Sequence, residues 1–307
     1  MSRNLGAYAV LLVIGSAWGL SAPLIKLAVT AGHRPATIIF CQAAVASVVL
    51  GLALLLTGRL RGMRWSAPYL RLYAVVGLFG MALPSLASYS ATQYLPAGII
   101  SIVISLVPVF ALPMALALGT ERFVPRRLLG VLAGAGAMAL LIAPQSSLPD
   151  PAVWLWVLVA ALSPLCYAIE GAAVYGTKLR DVGPLQMLWA GYLISVIASV
   201  PLVLMDQAPL VPASLLDPSV LAFVLAGLLG IGAYAGYLAL LQRTGAVFGS
   251  QVSYTVTGMG VVWAMLLLGE RYSGWVWSAL ALLFLGLFLV QPRKPAVPGV
   301  EDAHVRA

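Results

Sequence analysis

The sequence predicts an all-α polytopic membrane protein, with ten transmembrane helices arranged as two inverted five-helix repeats. Three observations predict it. The 307-residue chain is 62% hydrophobic and only 8% charged, with mean hydropathy +1.02; a soluble domain carries about 25% charged residues. Its apolar text falls into runs of about 20 residues, each long enough to cross about 30 Å of hydrocarbon. The stretch 93–144 also returns, in outline, near the end of the chain.

Aligned without gaps at an offset of 149 residues, Gln93 falls on Gln242, Ala97 on Ala246, Ser101 on Ser250, Glu121 on Glu270 and Arg122 on Arg271. Each copy has a polar start, an apolar run, a Glu-Arg pair at a short turn and a second apolar run ending at proline. A period close to half the chain points to duplication of a multi-helix unit rather than to a solenoid. The expected units are 1–145 and 146–291, followed by a disordered cytoplasmic tail, 292–307, which has no apolar period.

In order, the spans are 5–29, 35–56, 69–91, 95–118, 125–143, 152–174, 184–204, 218–240, 246–268 and 274–291. Pro125 sits where the fifth begins, a position proline tolerates, and Ser273 can cap the tenth. The N-terminal run resembles a signal peptide but continues through Pro23 to Val29, so it reads as a span. The longest loop, 205–217, is turn-rich.

The charges set the orientation. With the N-terminus in the cytoplasm, cytoplasmic segments hold Arg3, Arg59, Arg61, Arg64, Arg71, Arg122, Arg126, Arg127, Lys178, Arg180, Arg243, Arg293, Lys294 and Arg306. Arg34 and Arg271 fall outside, and Lys26 lies within the first span. The positive-inside rule then gives cytoplasmic N- and C-termini in a cell (inner) membrane. Five spans per half is an odd number, so the halves cross in opposite senses. Inverted repeats are a recurring transporter design, with the substrate site near the midplane where they meet.

The net charge of +8 is spread over short loops, so no nucleic-acid surface is expected. Cys41 and Cys166 lie in apolar runs without metal-ligand spacing. No cofactor, metal site or protein partner is implied; the expected partners are a small-molecule substrate and the bilayer, and a monomer suffices. An intramembrane enzyme is disfavoured. The histidines, His33 and His304, lie in a loop and the tail, and there is no HExxH, GxSxG or Gly-rich phosphate loop.

The first span, IGSAWGLSAPLIKLA, carries a WG…K pattern, and SLVPVFALPMALALGTERFVPRRLLGVLAGAGAMALL combines a proline, a glutamate and a glycine-rich helix. These residues resemble the fourth and fifth helices, after the opening one, of the EamA family of the drug/metabolite transporter superfamily. The nearest subgroup is the bacterial aromatic-amino-acid exporters, the YddG-like proteins. The resemblance covers essentially the whole chain. It implies export from the cytoplasm through a central cavity lined by helices one, three, four, six, eight and nine. The second copy departs from the pattern in having Thr257 where the first has Pro108, which removes the proline reason for a helix break there.

A site inside a bundle needs polar or aromatic groups on one helix face, spaced i, i+3 or i+4. The spans supply Trp18 and Ser21; Ser85, Ser88, Tyr89 and Gln93; Ser101 and Ser105 with Pro108; Tyr167 and Glu170; Tyr234 and Tyr237; and Gln251 and Tyr254. At the same offset, Trp18 maps on Tyr167, Ser85 and Ser88 on Tyr234 and Tyr237, and Ser101 and Ser105 on Ser250 and Tyr254. This suggests one cavity built by both repeats, with Trp18 and Tyr167 near its centre.

Plainer readings stand beside these. Trp65, Trp154, Trp156, Trp275, Trp277 and Trp189 read as an interfacial belt. The serines can simply bond to the preceding turn, and Trp18 and Trp263 can be core. The row Gly130, Ala133, Gly134, Ala137 reads as helix packing. Lys26 either snorkels or attracts a substrate carboxylate. Glu170 is either interfacial or a partner for a substrate amine or a coupled proton. Glu121, Arg122, Glu270 and Arg271 read as charges fixing turns.

The leading function is export of small metabolites, foremost aromatic or other apolar amino acids, by alternating access. The alternatives are export of another metabolite or of lipophilic cationic drugs, whose charge favours aromatic faces, and a channel, which non-saturating flux would reveal.

Overall fold

Proline opens α2 (Pro35–Leu56), α5 (Pro125–Ile142), α7 (Pro184–Met205) and α8 (Pro218–Thr244). There its missing N–H costs no helical bond. The computed structural model describes residues 2–119, 123–142, 151–177, 179, 181–244 and 251–290. Among them lie ten transmembrane helices and no strand. α1 runs as Ser2–Gly19 and Ser21–Thr30. α3 joins Ala67–Gly77, a π-helical turn Leu78–Ala82, and Leu83–Thr92. α4 consists of Ala97–Ile104 and Val107–Ala117. The others are α6 (Trp154–Gly176), α9 (Val252–Leu268) and α10 (Gly274–Val290). Eight spans are at least 18 residues long and apolar enough to cross a membrane, and α9 and α10 are shorter apolar helices.

The expected spans fit these helices closely. α8 runs to Thr244, beyond the expected 240. The expected start of the ninth span falls on 246–250, outside the described residues. So do Ser250, Glu121, Arg122, Lys178, Arg180 and the tail 292–307.

Prolines explain the irregular turns. Pro23 cannot donate to the Gly19 carbonyl, and α1 is interrupted one residue later, at Leu20. Pro84 cannot donate to Gly80, and the π turn of α3 immediately precedes it. Pro108 cannot donate to Ile104, where the first half of α4 ends. At the matching place in α9, the buried Thr257 keeps its N–H and its hydroxyl donates to Ser253 O at 2.8 Å. α9 is therefore unbroken over its described length, where α4 breaks at the matching place.

Helix contacts exchange when the two halves are swapped. α2 packs on α7 and α5 on α10; α1 packs on α9 as α6 packs on α4; α8 packs on α1 as α3 packs on α6. Lipid is as apolar as leucine, so close van der Waals approach has to hold such helices together. At α5–α10 a Cβ on Gly130 would lie 2.6 Å from the Gly286 carbonyl oxygen, and one on Gly286 would lie 2.8 Å from the Gly130 oxygen. The expected packing row on α5 thus finds its partner. Beside it, Ile99, Ile102, Val103 and Leu106 of α4 bury against Val157 of α6, Val261 of α9 and Leu283 of α10.

Trp65, Trp154, Trp275 and Trp277 are exposed near helix ends, as a belt requires. Trp156 stacks on Tyr94 with centroids 4.2 Å apart. Trp189 meets the Trp65 ring with centroids 6.3 Å apart, and its indole N–H donates to Ser47 O at 2.9 Å, which ties α7 to α2. The Ser273 hydroxyl does not cap α10. It is buried without a partner, and the Ser273 carbonyl instead accepts the N–H groups of Val276 and Trp277.

Candidate functional site

The interior carries a string of aromatic and polar side chains, linked by ring contact, hydrogen bond or electrostatic reach. Trp18 of α1 meets Tyr237 of α8, ring centroids 6.0 Å apart. Tyr237 is in electrostatic reach of Tyr234, and Tyr234 of Glu170 on α6. Tyr167, one turn before Glu170, reaches both Glu170 and Tyr89 of α3. The Tyr89 hydroxyl donates to Gln42 Oε1 of α2 at 2.7 Å and is also bonded to Ser85. Gln42 in turn donates to the Phe223 carbonyl of α8 at 2.6 Å.

Glu170 owes its place to α3. A Cβ on Gly80, in the π turn, would lie 3.1 Å from Glu170 Cγ, so the glycine lets this side chain pack close against the α3 backbone. Glu170 is the one acidic residue within a described helix, and it makes no hydrogen bond or ion pair among the described residues. Among the described residues, its electrostatic neighbours are the tyrosines Tyr167 and Tyr234.

Two contributors were not foreseen. Tyr192 of α7 lies in electrostatic reach of Tyr89, Tyr167 and Tyr234. Its spacing of three from Trp189 was the available signal, overlooked because Trp189 read as a belt residue. Gln42 was the one amide within the second span. The string thus draws on α1, α2, α3, α6, α7 and α8.

The remaining expected residues lie elsewhere. Ser88 donates to Pro84 O at 2.8 Å and Ser101 to Ala97 O at 3.1 Å. Ser105, at the break of α4, donates to Ile102 O at 2.7 Å. These are the backbone-bonded serines of the plainer reading. The Ser21 hydroxyl is buried without a partner. Gln93 is exposed at the end of α3, and Gln251 precedes α9. Tyr254 packs on Phe284 of α10, centroids 5.6 Å apart, in the core shared by α4, α6 and α10. Trp263 donates to Ser16 Oγ at 3.0 Å and ties α9 to α1. A shallow concavity lined by Leu155, Trp156, Leu158, Val159 and Leu162 faces outward from α6 and lies apart from the string.

At the end of the bundle away from most of the basic loops, a second polar group ties helix ends together. Lys26 Nζ donates to Thr92 O at 2.7 Å and Leu95 O at 3.0 Å, capping the C-terminus of α3, where a cation is favoured. Glu270 accepts the N–H groups of Ala97 at 2.7 Å and Gly98 at 3.2 Å, capping the N-terminus of α4, where an anion is favoured. Tyr272 donates to the same carboxylate. Burial, and then this bond, hold the Tyr272 hydroxyl above its usual range. Lys26 and Glu270 attract each other. Glu270 therefore does more than fix its own turn: it reaches from the second copy to a helix of the first.

The geometry has a family context. The profile of the EamA-like transporter family matches the chain twice, over residues 5–143 and 154–291. The chain belongs to the EamA-like transporter family. As a member, it is a multi-pass membrane transporter of small molecules, in a family of transporters rather than enzymes. A solved crystal structure matches this EamA-like chain at TM-score 0.62 and 19% identity, covering 92% of this chain and 97% of the other. At that identity it shares the fold. No curated protein matches the sequence.

Proposed function

We propose that this EamA-like transporter exports small metabolites from the cytoplasm, aromatic or other apolar amino acids foremost, by alternating access between its two inverted repeats. The observation that carries this reading is the string Trp18–Tyr237–Tyr234–Glu170–Tyr167–Tyr89, which takes residues from both halves. Aromatic faces suit an apolar side chain, and Glu170 suits an ammonium group. The repeats are taken as 1–145 and 146–291, with 292–307 as a tail. In this reading the protein sits in the cell inner membrane, and the basic loops support an orientation with both termini cytoplasmic.

In this orientation the Lys26 and Glu270 caps lie at the outer end. They hold that end together while the site faces inward. Export requires them to part, with the repeats rocking about the central string.

The test is efflux from cells loaded with labelled phenylalanine. Cells expressing the wild type should lose label faster than cells expressing Trp18→Ala or Tyr167→Ala at equal membrane abundance. Equal rates for all three would sink the amino-acid reading.

A further inference from the structure

We infer that the interior site recognises its substrate by a protonated amine alone, so that primary aromatic amines bind at least as well as the amino acids they derive from. The inference rests on the transport reading of the same site and names what that site holds.

The charges in the bundle carry the argument. Glu170 is the one acidic residue within a described helix, and no described residue neutralises it. An ionisable group inside a membrane protein faces the bundle interior or a water-filled space and needs a partner. Here its side chain lies against the Gly80 backbone, with Tyr167 and Tyr234 in electrostatic reach. Trp18 meets Tyr237, which is in electrostatic reach of Tyr234, and Tyr89 and Tyr192 are in reach of Tyr167. A carboxylate among aromatic rings is the chemistry that holds an organic ammonium ion.

A zwitterion would need a cation as well, and the one cation placed well inside a span is already engaged. The ammonium of Lys26 has two of its three donors on Thr92 O and Leu95 O and is attracted by Glu270. These bonds hold it at the C-terminal end of α3, one turn beyond Tyr89, where it caps the helix. Other basic residues on described transmembrane helices, such as Arg71 and Arg126, lie in first turns or near helix ends. Among the described residues, no unengaged cation is left at the string to pair with a substrate carboxylate, so removing that carboxylate costs no binding.

The test is the thermal stability of the purified full-length protein in detergent with phenethylamine, phenylalanine or N-acetylphenylalanine. Phenethylamine should raise the Tm of the wild type saturably, with half-saturation no higher than that of phenylalanine. N-acetylphenylalanine, which keeps the carboxylate but has no charged amine, should leave the Tm unchanged. The effect of phenethylamine should vanish in Glu170→Gln and return in Glu170→Asp, which also shows that the site tolerates substitution. A Tm rise with N-acetylphenylalanine equal to that with phenethylamine overturns the inference. So does an undiminished phenethylamine effect in Glu170→Gln. Phenylalanine efflux from cells separates the two readings. Efflux without phenethylamine binding leaves the transporter of amino acids and removes the amine-only site; binding without efflux does the reverse.

Discussion

Glu270 accepts the backbone N–H of Ala97 at 2.7 Å, a bond from the turn before the last helix to the first turn of the fourth. The 149-residue offset places Glu270 on Glu121 and Ala97 on Ala246, so both partners stand at repeat-related positions. In the structure this bond and the Lys26 caps join α1, α3, α4 and the α9–α10 turn at one end of the bundle. Hydrogen bonds to a charged acceptor are each worth about 1.5–3 kcal/mol. Glu270→Ala should therefore lower stability by about 1–3 kcal/mol, read as a drop in Tm in detergent. In a double-mutant cycle with Lys26→Met, the two changes should couple rather than add. Strict additivity would show that the caps act separately.

Gly98 is part of the same arrangement. The Tyr272 hydroxyl lies where a Cβ on Gly98 would be. Gly98→Ala should displace Tyr272 from Glu270 and lower the Tm as Glu270→Ala does. Combined with Tyr272→Phe, it should cost less than in the wild type, because part of the crowding is gone. An unchanged Tm for Gly98→Ala would contradict this packing.

The α5–α10 contact gives a purely structural prediction. Gly130 and Gly286 bring two backbones together, each leaving less than 3 Å for a Cβ on the other side. Gly286→Ala should cost about 1–3 kcal/mol through overpacking, with substrate affinity unchanged in the folded fraction. Loss of affinity at unchanged stability would place this contact in the transport pathway.

Much of this was legible in the sequence, for physical reasons. Long apolar runs, prolines at helix starts and the Glu-Arg turns fixed the ten spans, because lipid demands helices that satisfy their own backbones. Tyr167 with Glu170, and Tyr234 with Tyr237, were legible as pairs, because i, i+3 spacing puts each pair on one face of its helix. The serines were not. A hydroxyl reads the same whether it faces a cavity or bonds to its own turn, and Ser88 and Ser101 do the latter. Lys26 and Glu270 were read singly, because nothing local shows that residues 244 positions apart cap neighbouring helix ends. The interruption of α1 at Leu20 was not foreseen, because Pro23 was read only as lying within a continuous span.

Outside the membrane, Asp181 accepts the Tyr69 hydroxyl at 2.8 Å and 2.9 Å and pairs with Arg64 at 2.7 Å. The Tyr69 bond, with Arg64 adding to it, holds the Asp181 carboxyl below the usual carboxylate range. A depressed folded value stabilises the protein above the unfolded value, about 3.9. That contribution is lost only as pH falls further. The Tm difference between wild type and Asp181→Asn should be small, because both charges are exposed. It should stay flat from pH 8 to about 5 and shrink only below about pH 4. A difference that already shrinks between pH 8 and 6 would assign the stabilisation to another group.

Trp18 anchors one end of the string on Tyr237. Trp18→Ala should lower kcat/KM for phenylalanine about tenfold, equivalent to about 1.4 kcal/mol of lost contact. Trp18→Phe should keep most of it, since the aromatic pair survives. Equal losses in the two variants would mean that the indole N–H, not the ring face, is what the site uses.

The most direct test of a carrier with an interior site is trans-stimulation in proteoliposomes. Uptake of labelled phenylalanine is measured as a function of concentration, with and without unlabelled phenylalanine inside. A carrier that must reorient around Glu170 and its tyrosines predicts saturable uptake, several-fold faster into loaded vesicles, and abolished by Glu170→Gln in the folded protein. Uptake that rises linearly with concentration and ignores the internal substrate would contradict it, and would describe a channel instead.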